Sequence, residues 1–168
     1  MALKFFEAVP QRRIFHILTD PHYLFPLPDH ISTLKIARNE FLDNAITTGF
    51  QLGEQLFRQA PESAIWITDD LVSIGFCQAF FKHGIDLIAE NRILSYGSPS
   101  GQVTQEMRMP VIGFCPMEIG RLAAEAFSAF LVSKANHTPS CAELVIPPAS
   151  NPAASEILQT AAAPGSIQ

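Results

Sequence analysis

Two adjacent carboxylates, Asp69 and Asp70, close the stretch Ala64-Ile-Trp-Ile-Thr-Asp-Asp-Leu-Val-Ser-Ile-Gly75. A short β-type apolar run ends there and a helix begins at once. In open α/β sheets small ligands bind just beyond the carboxyl ends of strands. A carboxylate there can accept hydrogen bonds from a ligand, or it can simply cap the helix and favour its positive end. Two neighbouring carboxylates also suit a metal, yet no third ligand is positioned by sequence, so no metal site is assigned. Trp66 lies next to the carboxyl end of the same run, where it could stack on a ligand ring or be buried by strand alternation. Cys77 and His83 fall on different faces of the following helix, so a buried structural thiol is favoured over a nucleophile and base. His16 within a strand reads as a packed histidine, and His22 and His30 flank a proline-rich loop.

The elements that must position these groups alternate. Ala2 to Val9 reads as a short helix, and Arg13 to Leu18 as a buried strand. Pro21, Pro26 and Pro28 forbid regular structure over 20–32. Leu34 to Arg38 is a second strand. Asp43 or Asn44 caps a helix reaching Gln59, and Pro61 turns the chain into the strand Ala64 to Thr68. A helix from Leu71 to Lys82 ends at Gly84, a suitable left-handed cap. Ile93 to Tyr96 and Pro110 to Phe114 are extended, with the loop Gly97-Ser-Pro-Ser-Gly101 between them. Pro116 opens a helix to about Ser133, and Leu144 to Ile146 is a last strand. The alternation predicts an α/β fold with a mostly parallel sheet and helices on both faces.

The bulk composition narrows the function classes. Of 168 residues, 48% are hydrophobic and 16% charged, which supports a real core. With net charge −5 and no Lys/Arg cluster, this chain by itself is not expected to hold nucleic acid. Three widely spaced cysteines make no C-x-x-C pair and fit a reducing, cytoplasmic setting. There is no secretion-type N-terminus and no run of about 18 apolar residues, so no membrane association is expected. No Gly-rich dinucleotide or phosphate motif occurs, and no cofactor is expected.

Several segments, taken in order, resemble the effector-binding region of the LacI/GalR family of bacterial transcription regulators. Residues 2–21 look like the family's helix, "GHRRI" turn and strand. Thr48-Gly-Phe50, followed by Leu56, looks like the family's next ligand-side helix. Ala64 to Gly75 is similar to "AIF-AND-xxAxG", and Cys115-Pro-Met-Glu-Ile-Gly-Arg-Leu-Ala-Ala-Glu125 to "QPxxEMGRxAAE". Glu143 to Ser150 resembles the closing "LVVRxST". The resemblance implies one subdomain of a type I periplasmic-binding-protein-like fold, over residues 1–150, with a crossover helix at 116–133. A loose tail is expected over 151–168.

By the same resemblance, Asp70 matches a cleft aspartate that accepts from sugar hydroxyls, and Asp69 stands where the family has Asn. Asn39 and Asn44 lie near a further polar contact, with capping as the alternative, and Trp66 completes the candidate set. The family's helix between its first two strands, with its arginine, has no counterpart here. Its "GFDD" is replaced near Tyr96-Gly-Ser-Pro99, its "LTT" near Pro110-Val-Ile112, and its closing arginine by Pro147 or Pro148.

The function implied is a sugar-sensing module of a transcription regulator, not an enzyme. It would lack the DNA-binding module and first subdomain in this chain and would reach DNA only through that missing module. The helix at 116–133 would lose its usual cover on Leu122, Phe127 and Phe130, so it should fold back or self-associate, as in a dimer. The alternatives are a ligand-free interaction remnant and a small metal-dependent α/β enzyme.

Overall fold

The computed structural model describes residues 5–6, 13–18, 31–36, 44–135 and 149–162. Strands β1 (Ile14–Leu18) and β2 (Ile31–Lys35) lead to helix α1 (Ala45–Gln59). β3 (Ala64–Ile67), α2 (Asp70–Lys82), β4 (Ile93–Tyr96) and the short α3 (Gln102–Glu106) follow. β5 (Val111–Gly113), α4 (Pro116–Ala135), β6 (Ala149–Ser150) and α5 (Pro152–Ala162) complete the described elements. The six strands form one sheet in the order β2-β1-β3-β4-β5-β6. All neighbours pair in parallel except β6, which runs antiparallel to β5. The expected α/β sheet is therefore present.

Both faces of the sheet are covered, which is why β1 and β3 are apolar without alternation. On one face Phe15, Ile17, Ile65, Ile67 and Ile93 pack under Leu56 of α1 and Val72, Phe76 and Phe80 of α2. On the other, Ile14, Trp66, Leu94 and Ile112 meet Phe5, Phe6 and Ala154 of α5. The packing of α1 on α2 is the most extensive between helices and depends on bare backbone. A β-carbon on Gly49 would strike the Val72 carbonyl, and one on Gly75 the Ile46 carbonyl. Arg92, 1% exposed, ties the start of β4 to the turn before β3. Its guanidinium donates to the carbonyls of Ser63 and Pro61 and pairs with Glu90.

Three sequence expectations change. The second strand is Ile31–Lys35 rather than Leu34 to Arg38, because Ile31 enters the sheet face beside Phe5 while Leu34 is exposed. Residues 151–162 are not a loose tail. Asn151, 3% exposed, accepts at Oδ1 from the Val111 and Ala154 amides (3.0 and 3.1 Å) and donates to the Met109 carbonyl (2.7 Å). Pro152 then occupies the first turn, and Ala154, Ile157 and Leu158 lie on one apolar face. Finally, α4 does not fold back onto the described elements. Met117 is 82% and Phe127 62% exposed, and no described element packs extensively against this helix. The strand expected at Leu144 to Ile146, most of the loop 20–32, Asn39 and Asp43 lie outside the described residues.

Candidate functional site

The connections out of β1 run to β2 on one side and, later, β3 on the other. The β1/β3 boundary is therefore the topological switch point, and its carboxyl edge is where such sheets bind ligands. The chain leaves β3 there through Thr68, whose hydroxyl donates to the Ile17 carbonyl of β1 (3.1 Å). Asp69 comes next, in extended backbone, and accepts at Oδ1 from the Val72 amide (3.0 Å). It is thus the N-cap of α2. Its carbonyl is held by the Ser73 hydroxyl (2.7 Å), which sits 2.9 Å from the buried Ser95 Oγ on β4. Burial raises the Asp69 pKa, the Asp70 charge adds to the rise, and the Val72 amide opposes it.

Asp70 is half-buried in the first turn of α2, where the capping bond is made by Asp69. Its carboxyl group lies over Gly97, just past β4, where a β-carbon would come within 3.1 Å of Asp70 Oδ2. The Gly97 amide in turn donates to the Ile112 carbonyl of β5 (3.1 Å). Three strand ends therefore meet at one rim: Asp70 from β3, Tyr96 to Ser98 from β4, and Phe114 from β5. The half-buried Tyr96 and Phe114 rings pack edge to face at 6.1 Å. Sequence reasoning passed over this aromatic pair. The signal was available, since both residues sit at strand ends, but their proximity needs the β4–β5 pairing.

The other candidates do not join this rim. Trp66, 9% exposed, is buried in the opposite sheet face against the His16 ring. Alternation places it there: Ile65 and Ile67 take the α1–α2 side. Asn44 is exposed and caps α1, its Oδ1 accepting from the Thr47 amide (3.1 Å). Asn39 lies outside the described residues. Cys77 is buried in the core and its thiol is pushed up to about 12 by desolvation, which makes it inert. Among the described residues no cluster of three metal-ligating side chains occurs, and no helix is long and apolar enough to cross a membrane.

The corner formed by Asp69 and Asp70 lines none of three grooves found among the described residues. Two of these, of about 460 and 400 Å³, lie at the opposite sheet edge around Arg108 and Glu156, and a third of about 450 Å³ runs along α1.

No protein-family model matches the sequence, and no curated protein does. Solved structures do. An ABC transporter periplasmic solute-binding protein from Actinobacillus succinogenes with bound D-allose superposes with TM-score 0.59 at 15% identity, over 92% of this chain and 57% of that one. A second ABC transporter solute-binding protein, from Agrobacterium vitis with bound allitol, gives 0.56 at 13% identity over 95% and 61%. A putative transcription regulator from Staphylococcus saprophyticus gives 0.50 at 16% identity over 73% and 50%. This chain thus spans about three fifths of the two solute-binding proteins. At these identities the likeness establishes a shared fold.

Proposed function

We propose that this chain, with its periplasmic-binding-protein-like fold, is one lobe of a sugar- or polyol-sensing module of the LacI/GalR type. The observation that carries the reading is the Asp70 carboxylate at the carboxyl rim of β3 and β4, free of the capping duty that Asp69 performs. A carboxylate accepts from hydroxyls with both oxygens, and the charge strengthens each bond. Tyr96 and Phe114 supply an aromatic wall against which the C–H face of a sugar packs. Two structural neighbours hold D-allose and allitol, which supports the ligand class.

In this reading the chain binds rather than catalyses. A second lobe completes the cleft, and closure of the two lobes shifts the population of a regulator that acts in the cytoplasm. DNA is reached through a separate module. Self-association runs through α4, whose Met117, Phe127 and Leu131 are exposed at near-helical spacing.

A lone rim binds weakly, so the test is NMR titration of the full chain with D-allose and allitol up to high millimolar concentration. Saturable shifts at Asp70, Tyr96 and Gly97 are expected. Asp70→Asn should weaken them roughly tenfold or more, the worth of a charged hydrogen bond. No shift with either compound, or shifts unchanged in the variant, refutes the reading.

A further inference from the structure

One buried group of polar atoms has no part in the rim. His16 and Trp66 are paired neighbours on β1 and β3, the two strands that flank the switch point. Their rings lie 4.4 Å apart at an angle of 37°. His16 is 3% exposed, and both its ring nitrogens and the Trp66 indole nitrogen are buried without a hydrogen-bond partner among the described residues. Around them the sheet face is apolar, with Ile14, Leu94 and Ile112. Buried side-chain polar atoms nearly always have a partner, and a donor left alone is penalised by more than an average hydrogen bond contributes. Two apolar side chains would fill this layer without the penalty.

The donor and acceptor pattern says what could bridge the two rings. Burial holds His16 below its ordinary pKa, so the ring is neutral, with one N–H and one bare nitrogen. Trp66 adds a second N–H. A hydroxyl oxygen accepts from an N–H and gives its own hydrogen to the bare nitrogen. A carboxylate has no hydrogen to give, and an ammonium cannot accept. We propose that His16 and Trp66 form an internal polar site between β1 and β3 that holds one hydroxyl-bearing molecule, either water or a small polyol. The site is distinct from Asp70 and does not rest on the sugar-sensing reading.

The chain has a single tryptophan, so its indole N–H signal is unambiguous. The experiment is NMR of the ¹⁵N-labelled full chain, first in water and then with glycerol added. A cross-peak from the indole proton to a long-lived water supports the site with solvent as its occupant. A saturable glycerol shift of that signal, retained in Asp70→Asn, supports it with a polyol as occupant. Either contact should disappear in folded His16→Phe, and its persistence there would overturn the role of His16. Should the variant fail to fold, the wild-type measurement still decides. A folded wild-type chain whose indole proton shows neither contact overturns the proposal.

Discussion

The contact between α1 and α2 predicts that one substitution has opposite effects at two glycines. A methyl at Gly75 would run into the Ile46 carbonyl oxygen and come within 2.6 Å of the Phe50 amide nitrogen. Both obstacles are helix backbone, so no rotamer change relieves them. Restoring an ordinary separation of about 3.5 Å requires the helices to part by roughly 1–1.4 Å. A gap of that size forfeits about a quarter to a half of each dispersion contact along the interface, here made by Leu56, Val72, Phe76 and Phe80. Overpacking of this kind typically costs about 1–3 kcal/mol, and more when backbone is the obstacle. Alanine recovers only about 1 kcal/mol of helix propensity. With backbone as the obstacle the cost falls at the upper end of that range, so Gly75→Ala should lose about 2 kcal/mol net.

Gly120 of α4 has open space where a β-carbon would stand, with nothing within 4 Å, so Gly120→Ala should gain up to about 1 kcal/mol from propensity alone. At about 2–4 °C per kcal/mol for a chain of this size, thermal unfolding should show Tm falling for Gly75→Ala and rising for Gly120→Ala. Because α2 begins at Asp70, parting the helices would also move the rim carboxylates. A Gly75→Ala protein as stable as the wild type would refute the close approach of these helices.

Three further outcomes are expected. Asp69→Ala removes the cap bond and should lose about 1 kcal/mol, whereas Asp69→Asn keeps the cap and sheds a buried charge, so its stability at neutral pH should equal or exceed the wild type's. Burial raises the folded pKa of Asp69, so the folded chain holds this proton more tightly than the unfolded one. Its contribution is fullest below the ordinary carboxylate range and is lost as pH rises through the folded value. Urea unfolding across that range should show this component of the slope vanish in Asp69→Asn, and an unchanged slope contradicts the assignment. For α4, sedimentation should show concentration-dependent association that Phe127→Glu with Leu131→Glu abolishes. A monomer at every concentration contradicts self-association.

Local chemistry made much of this protein legible before any fold was known. The apolar runs at 14–18, 64–67 and 93–96 are strands because their β-branched and aromatic residues are flanked by turn and cap residues. Asn44 and Asp69 cap because a short side-chain acceptor reaches the amide three residues on. Gly84 follows α2 at φ +79°, a conformation available to glycine without strain. The helix at 152–162 was equally local, with Asn151, Pro152 and its apolar spacing, but an Ala- and Pro-rich composition hid it.

Long-range pairing decided the rest. Whether Trp66 faces the rim or the core depends on which side of the sheet each helix covers, and its own neighbours in sequence do not carry that information. The meeting of Asp70 with Gly97, of Tyr96 with Phe114 and of His16 with Trp66 requires strand order and register. Those are set by burial summed over the whole sheet, because a one-residue slip would send every apolar side chain to the wrong face.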